Sequence, residues 1–195
     1  VEFLHFFRKY GGMMDLFEYM RETNKKKESP LASRMRPKKL EDVVGQEHIL
    51  GADKLLTRAI KADKLNSVIF YGPPGTGKTT LAMVIAETTS AEFTQINATS
   101  AGKKDMEEVI AKAKDTQGMY GRKTILFVDE IHRFNKAQQD YLLPFVEDGT
   151  VVLIGATTEN PYFYVYNAIL SRSTVFEFKP IEPSEIERAL EHAIE

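Results

Sequence analysis

The segment Ser67-Val-Ile-Phe-Tyr-Gly-Pro-Pro-Gly-Thr-Gly-Lys-Thr-Thr80 decides the fold of this 195-residue chain. Its apolar start predicts a buried β-strand, and the residues that follow match the phosphate-loop pattern GxxxxGKS/T. Glycines in such a loop let backbone N–H groups surround phosphate oxygens, the lysine supplies a cation, and the last hydroxyl ligates Mg2+. A glycine-rich turn before an ordinary helix is the alternative, and the apolar strand in front argues against it. The ATP-binding residues predicted in the loop are Gly72, Pro73, Pro74, Gly75, Thr76, Gly77, Lys78, Thr79 and Thr80.

A second signal lies in the apolar run Thr124–Val128, which ends in two adjacent acids, Asp129 and Glu130. Ligands of parallel α/β sheets bind at the carboxyl ends of the strands, where these acids would stand. Asp129 is predicted to hold Mg2+ together with Thr79, mainly through water, and Glu130 to orient and polarise the attacking water. A strand that ends in two solvated acids is the alternative, and it weakens once the phosphate loop is considered with it.

Apolar runs alternate with helical patterns along the rest of the chain. This alternation predicts an α/β fold with a five-stranded parallel sheet and right-handed crossovers. The predicted strands are Ser67–Tyr71, Phe93–Asn97, Thr124–Val128, Val151–Ala156 and Thr174–Phe178. The predicted helices are Lys54–Lys61, Lys78–Thr88, Lys104–Asp115, Lys136–Val146 and a last one from Glu185 to the end.

Composition and charge indicate how the chain is divided and which kinds of site it cannot contain. Residues 1–29 are predicted to be an N-terminal extension and charged linker, residues 30–180 the ATPase core, and residues 181–195 the first helix of a further, truncated domain. The absence of cysteine excludes disulfides and cysteine-ligated zinc or iron–sulfur sites. The net charge of −2 gives no reason to expect strong non-specific binding to nucleic acid. No apolar stretch is long enough to span a membrane, so a cytoplasmic protein without a membrane partner is expected.

Several motifs resemble the AAA+ class of ATPases and, within it, the clamp-loader branch. GPPGTGKTT (72–80) and FVDEIH (127–132) are similar to motifs found throughout the class. The stretch 36–46 is similar to the segment that lines the adenine pocket in that branch, and GATT (155–158) and Ser171-Arg172-Ser173 match its sensor-1 and Ser-Arg-Cys motifs, with serine in place of cysteine. The resemblance implies a RecA-like P-loop NTPase core built as a three-layer sandwich. The adenine-pocket residues that it implies are Arg36, Pro37, Val43, Val44 and Gly45.

Longer matches, over residues 30–37, 131–140, 146–150 and 154–161, closely resemble the bacterial RarA (also MgsA) family, whose eukaryotic relative is the Werner-helicase-interacting protein. The resemblance implies a nucleoid-associated, DNA-stimulated ATPase that acts on single-stranded or forked DNA at stalled replication forks, with single-stranded DNA-binding protein as a partner. The family continues into a helical lid with a sensor-2 arginine and into an oligomerisation domain, which this chain lacks after Glu195. A homo-oligomer is therefore expected to form through the missing part, and the chain alone is expected to have negligible ATPase activity.

Three further catalytic roles are implied by the same resemblance. Thr158 is the implied sensor 1, which detects the γ-phosphate through its hydroxyl. Arg172 is the implied arginine finger, which completes the site of a neighbouring subunit; a structural salt bridge is its alternative use. Asn97, at the end of the second strand, is expected to restrain Glu130 until a partner arrives. The predicted catalytic residues are thus Lys78, Asn97, Glu130, Thr158 and Arg172.

Three weaker patterns concern partners. Met14-Asp-Leu16-Phe17 resembles the tail of peptides that dock on the bacterial sliding clamp, but the leading glutamine is absent and an amphipathic helix is the favoured interpretation. The basic residues at 103, 104, 112, 114, 122 and 123 could form a DNA-binding surface, although solvated lysines on helices explain them better. The aromatic residues at 162, 163, 164 and 166 could stack on bases, but core or subunit packing is the more common use of such a cluster.

Two other readings of the function stay open at this stage. A clamp-loader subunit or a Holliday-junction branch-migration motor would share the ATPase core. A non-hydrolysing, nucleotide-gated interaction module would share the phosphate loop, but it would have no use for the water-activating Glu130.

Overall fold

The computed structural model describes residues 36–194. The chain divides into two units, residues 1–36 and 37–195, and every element given below belongs to the second. The predicted extension and linker (1–29), with the clamp-docking stretch 14–17, lie outside the described residues, as does Glu195. The predicted domain boundaries at residues 30 and 181 stay predictions.

The second unit is built around a five-stranded, all-parallel sheet, which confirms the prediction. Its spatial order is β2-β3-β4-β1-β5. The strands are β1 (Val68–Tyr71), β2 (Glu92–Asn97), β3 (Thr124–Asp129), β4 (Val151–Thr157) and β5 (Thr174–Glu177). Because all strands run in one direction, their last residues meet at one edge of the sheet, the C-terminal edge, and their first residues meet at the N-terminal edge.

Helices connect the strands, and several are a single turn long. The helices of the described part are α1 (Glu47–Leu50), α2 (Leu55–Lys61), α3 (Lys78–Thr88), α4 (Lys103–Tyr120), α5 (Lys136–Glu147), α6 (Pro161–Tyr164), α7 (Asn167–Leu170) and α8 (Pro183–Ile194), with 3-10 turns at Leu40–Asp42 and Ile131–Arg133. The sequence did not predict α1, α6 and α7, because four residues are too few for a helical period to show. Within residues 36–194, no helix is both long enough and apolar enough to cross a bilayer.

Helices cover both faces of the sheet, which confirms the three-layer sandwich. The core of one face joins the sheet to α4 and α5 and includes Ile69, Leu126, Leu153, Met106, Ile110 and Leu142. The core of the other face joins it to α2 and α3 and includes Phe70, Phe127, Ile154, Leu56, Leu81 and Ile85. Successive residues of a strand therefore face opposite helical layers, and the residues on both faces are buried. For this reason the strands appear in the sequence as continuous apolar runs.

One predicted element, helix α4, is longer than expected. The sequence placed it at Lys104–Asp115, whereas it spans Lys103–Tyr120. Gly118 does not end the helix, since a single glycine only weakens a helix interior. The helix ends where Gly121 takes a left-handed φ of 62° and donates its N–H to the carbonyl oxygen of Gln117. The other predicted elements agree with the observed ones to within one or two residues at each end.

Candidate active site

The phosphate loop, residues 72–77, connects β1 to α3 at the C-terminal edge of the sheet. Its three glycines have positive φ angles, 145° at Gly72, 75° at Gly75 and 93° at Gly77. A side chain is strained in this conformation, so the turn needs glycine at these positions. The Thr76 hydroxyl donates to the Pro73 carbonyl oxygen at 2.9 Å and closes the loop on itself.

Gly72 determines where the loop starts. Its N–H donates to the carbonyl oxygen of Thr157, the last residue of β4, at 3.2 Å. A Cβ at Gly72 would collide with the carbonyl oxygen of Phe178, directly after β5. Gly75 and Gly77, in contrast, have no heavy atom within 4 Å of the place a Cβ would take. The loop is therefore tightly packed where it leaves the sheet and open further on, as a cradle for an anion requires.

Helix α3 begins where the loop ends, and its N-terminus can receive an anion. Its N-cap residue is Gly77, which has no side chain to cap the helix. The first N–H groups of an α-helix have no partner inside the helix, and the helix dipole favours negative charge there. Thr79 and Thr80 lie in this first turn. The open loop and the uncapped helix start together fit the phosphate chain of a nucleotide.

The ammonium group of Lys78 is held by the loop. Its Nζ donates to the carbonyl oxygens of Gly72 at 2.9 Å and Pro73 at 2.7 Å. Burial lowers the pKa of Lys78 below its ordinary value, and the carboxylates of Glu130 and Asp129 oppose this shift. A bound phosphate would act in the same direction as the two carboxylates and favour the charged lysine.

Asp129 and Glu130 stand side by side where β3 ends. Asp129 lies opposite Asn97 of β2 in the sheet register. Glu130 has a φ of 54°, a strained conformation that is found at functional sites when the surrounding structure enforces it. Its N–H donates to Asp129 Oδ1 at 3.1 Å. Carboxylate and hydroxyl oxygens are the ligands that Mg2+ takes in proteins, so the donor chemistry of Asp129 and Thr79 fits the predicted metal.

Two residues of this site, His132 and Thr157, were not predicted from the sequence as site residues. His132 lies in the 3-10 turn after Glu130, and its Nδ1 is 3.3 Å from Glu130 Oε2 and 2.9 Å from Thr157 Oγ1. Thr157 ends β4 and is buried. His132 and Thr157 are 25 residues apart in the sequence, so no local pattern connects them. One signal could have indicated them: Thr157 ends β4 and His132 follows the end of β3, where ligands of parallel sheets bind.

Thr158 lies beside the phosphate loop. It follows β4 directly and is exposed. Together with Tyr71, Gly72, Pro73 and Asn160 it lines a cavity of about 370 Å³. This position places Thr158 beside Gly72 and Pro73 of the loop, and the sensor-1 role stays a prediction.

Asn97 ends β2 at the same edge, but its side chain is engaged elsewhere. Its Oδ1 accepts a hydrogen bond from the Thr99 N–H at 2.8 Å. The carboxylate of Glu130 is contacted by His132 instead. The predicted restraint of Glu130 by Asn97 therefore requires the Asn97 side chain to rearrange, and it stays a prediction.

The predicted adenine-pocket segment is fixed in place by Gln46. Residues 43–45 are half-buried or buried, and Gln46 itself is buried. Gln46 Nε2 donates to the carbonyl oxygen of Lys179 at 2.7 Å, and its Oε1 accepts from the Lys179 N–H at 2.9 Å. This pair of bonds joins the segment to the chain just after β5. Arg36 belongs to the other unit, so the contribution of Arg36 and Pro37 to an adenine pocket stays a prediction.

Arg172 lies at the N-terminal edge of the sheet, two residues before β5, whereas the phosphate loop lies at the C-terminal edge. Its Nη2 is 2.6 Å from Glu147 Oε1, at the end of α5, and its Nη1 donates to the Ala168 carbonyl oxygen at 2.9 Å. The side chains of Arg172 and Glu147 are 44% and 43% exposed. The structure therefore does not bring Arg172 together with the other predicted catalytic residues of its own chain.

The aromatic cluster after β4 is exposed, so the expectation that it packs in the core of the chain is wrong. Phe163 is 81% exposed, Tyr162 64%, Tyr164 51% and Tyr166 37%. Short helix α6 carries the first three on the surface because its buried residue is Pro161. Packing against another subunit stays a prediction.

Most of the basic residues that could have formed a DNA-binding surface are paired with acids. The ion pairs are Lys103–Glu107, Lys104–Glu108, Lys112–Glu92 and Lys123–Asp63. Such exposed pairs contribute little stability and leave little net positive charge. The arrangement supports the favoured interpretation of solvated lysines.

Comparisons with known proteins agree with the predicted family and with the fold. Residues 35–163 match the family described as the Holliday junction DNA helicase RuvB P-loop domain. Replication-associated recombination protein A of Haemophilus influenzae is 54% identical over 166 residues, which cover 85% of this chain and 37% of that protein. The Escherichia coli protein of the same name is 52% identical with the same coverage. ATPase WRNIP1 of Dictyostelium discoideum is 44% identical over 179 residues, which cover 92% of this chain and 20% of that protein.

Solved structures share the fold. The Thermotoga maritima RuvB Holliday junction branch migration motor superposes with a TM-score of 0.64 at 29% identity, covering 80% of this chain and 53% of that one. An A156S mutant of the same motor gives a TM-score of 0.66 at 28% identity, covering 81% of this chain and 54% of that one. The chain thus spans about half of these structures and little more than a third of the bacterial recombination proteins.

Proposed function

The chain belongs to the family of the RuvB P-loop domain, within which it resembles replication-associated recombination protein A, and on this premise we propose that it binds and hydrolyses ATP. The whole protein acts on single-stranded or forked DNA at stalled replication forks, in recombination and repair. It does so as a homo-oligomer in the cytoplasm, at the nucleoid, with single-stranded DNA-binding protein as a partner.

One observation carries the ATPase proposal: the phosphate loop and the two acids at the end of β3 lie at the same edge of the sheet. Gly72 of the loop bonds Thr157 there, and His132 contacts both Thr157 and Glu130. Loop N–H groups and Lys78 bind the phosphates, and Thr79 and Asp129 hold Mg2+. The metal, when bound, neutralises phosphate charge and helps to orient the γ-phosphate.

Glu130 is the residue that activates water in this proposal. Its carboxylate accepts a proton as the water oxygen bonds to the γ-phosphorus, and the bond from that phosphorus to the β-phosphate oxygen breaks to give ADP and phosphate. Thr158 contacts the γ-phosphate. Arg172 serves the site of a neighbouring subunit, because it lies at the other edge of the sheet from its own phosphate loop.

The first test is ATP turnover by the full-length protein that contains this chain, with and without single-stranded, duplex-ended and forked DNA. Glu130→Gln should lower turnover by about 10²–10⁴-fold and leave ATP binding intact, since only the proton acceptor is lost. Lys78→Ala should lower both turnover and ATP binding. Lys104→Ala, which breaks only an exposed ion pair, should lower neither of these quantities. ATP binding without turnover by the unaltered protein would instead support a nucleotide-gated module that does not hydrolyse ATP. Full turnover by Glu130→Gln would remove Glu130 as the water-activating residue, and turnover indifferent to all three DNAs would remove the fork-repair role.

A Holliday-junction motor is the second candidate, because the matched family and the solved structures carry that description. The identities favour the recombination protein, at 52–54% against 29% for the motor. Measuring ATP-dependent branch migration of a four-way junction by the full-length protein would distinguish the two candidates. The recombination reading predicts no ATP-dependent migration under conditions in which forked DNA stimulates turnover.

A further inference from the structure

His132 makes a connection in the active site that none of the roles above explains. Its side chain is only 8% exposed, and its ring lies edge-on to Tyr164 with the ring centroids 6.1 Å apart. A single ring nitrogen, Nδ1, lies within reach of two oxygens, Thr157 Oγ1 at 2.9 Å and Glu130 Oε2 at 3.3 Å. The imidazole therefore stands between the end of β4 and the predicted water-activating carboxylate.

The partners of Thr157 determine where the imidazole proton lies. The Thr157 hydroxyl oxygen accepts from the Glu159 N–H at 3.0 Å, and the hydroxyl can donate to the Glu159 carbonyl oxygen, 3.4 Å away. That hydroxyl can accept one more hydrogen bond, and an ionised carboxylate can only accept. Because the carboxylate can only accept, we assign the proton to Nδ1, which then donates to Thr157 Oγ1 at 2.9 Å and faces Glu130 Oε2 in a close electrostatic contact at 3.3 Å.

We propose that His132 is a positioning residue for Glu130: its Nδ1–H ties the Glu130 carboxylate to Thr157 and so keeps it oriented toward the attacking water. The proposal rests on the ATPase function proposed above. Glu130 needs such a tie, because its backbone sits in a strained left-handed conformation and its side chain is about one-third exposed, at 35%. Since Thr157 precedes Thr158, a shift of the end of β4 on phosphate contact would reach Glu130 through His132.

The proton position can be tested on the nucleotide-free 195-residue chain by 15N NMR of the imidazoles. The chain has four histidines, so His132→Asn assigns the signal by its loss. We expect an Nδ1–H tautomer whose resonance shifts in Glu130→Gln and in Thr157→Val. An Nε2–H tautomer, or a resonance that does not respond to Glu130→Gln, would overturn the proposal.

The positioning role is tested by steady-state ATP hydrolysis in the full-length protein. His132→Leu should lower kcat by about 10–100-fold, because a small misplacement of a catalytic group has effects of this size, while KM and nucleotide affinity change less than about twofold. His132→Asn should recover much of the loss, since its amide N–H can take the place of Nδ1–H. A kcat for His132→Leu that is unchanged or raised would overturn the proposal.

A matched control separates positioning from loss of structure. Gln139 is also buried, and it bonds the neighbouring backbone by donating to the Phe134 and Tyr164 carbonyl oxygens and accepting from the Tyr166 N–H. Gln139→Met should lower the melting temperature but leave kcat near that of the unaltered protein. If Glu130→Gln loses hydrolysis while His132→Leu does not, the positioning role alone fails. If the unaltered full-length protein binds ATP without hydrolysing it, the ATPase proposal itself fails.

Discussion

The two edges of the sheet carry functional side chains in different ways. At the C-terminal edge, Lys78 is held by loop carbonyls only five and six residues away, and Glu130 is tied to its neighbour Asp129 and to His132. At the N-terminal edge, Arg172 is held by the side chain of Glu147 and by the Ala168 carbonyl oxygen, and the side chains of Arg172 and Glu147 are 44% and 43% exposed. One edge brings several functional side chains together into one site, whereas the other presents Arg172 in a partly exposed ion pair.

This difference suggests how the two edges divide the chemistry. Phosphate, metal and water ligands must be fixed relative to one another, which a rigid strand-to-helix turn achieves. A charge that serves another molecule must be able to change partners, and an exposed ion pair of low energy permits this. We therefore expect changes at the C-terminal edge to act within one chain, and changes at Arg172 to act between chains.

Replacing Arg172 is the prediction with the largest effect. Arg172→Ala should lower ATP hydrolysis by the full-length protein by about 10³-fold or more, because an arginine that stabilises transition-state charge has effects of this size. Nucleotide affinity should stay nearly unchanged, since the residue lies away from its own phosphate loop. Steady-state turnover and equilibrium binding of a fluorescent ATP analogue measure the two quantities.

Mixing two inactive variants tests whether Arg172 acts on a neighbour. In a mixture of Arg172→Ala and Glu130→Gln proteins, some interfaces combine an intact Glu130 with an intact Arg172, so part of the activity should return. An Arg172→Ala protein that is fully active would reduce the residue to a surface salt bridge, and a mixture that stays inactive would contradict its action on a neighbouring subunit.

Gly72 tests how tightly the C-terminal edge is packed. Gly72→Ala should destabilise the domain by about 2–6 kcal/mol, because it combines a positive φ with a collision against the Phe178 carbonyl oxygen. Thermal unfolding should show a melting temperature lower by at least about 4 °C.

Gly118 provides the control for that change. It lies inside α4 with no heavy atom within 4 Å of a Cβ position. Gly118→Ala should raise stability by about 0.5–1 kcal/mol, since glycine is unfavourable in a helix interior. Equal effects at the two positions would contradict the tight packing inferred at Gly72.

The threonine pair at the end of β4 separates a catalytic from a structural hydroxyl. Thr158→Val should lower kcat about tenfold with little change in stability, because Thr158 is exposed beside the loop. Thr157→Val should lower the melting temperature, because its buried hydroxyl has partners in His132 and Glu159. A stable, fully active Thr158→Val protein would remove the sensor assignment.

How much the sequence predicted depends on how far apart the interacting residues lie. The phosphate loop and the acids of β3 were predicted because each is a local motif whose backbone geometry follows from its own residues. Gln46 and Lys179 lie 133 residues apart, and His132 and Thr157 lie 25 apart, so these contacts arise only when the sheet brings the strand ends together. Core packing of the aromatic cluster was wrongly expected for a related reason, since composition does not say which face of a short helix is covered; the other expected use, packing against a subunit, stays a prediction.

The smallest effect should come from Glu147, the partner of Arg172. Glu147→Gln replaces an ion pair by a neutral contact; exposed pairs contribute about 0.2–1 kcal/mol, so releasing Arg172 should raise turnover by at most about fivefold. Glu92→Gln is the matched control, because it breaks a similarly exposed pair with Lys112 at the start of β2, and it should leave turnover unchanged. A loss of activity in Glu147→Gln as large as that of Arg172→Ala would mean that Glu147 orients the arginine for its task. In that case the N-terminal edge would resemble the C-terminal edge, because the guanidinium of Arg172 would need a fixed partner and would not change partners.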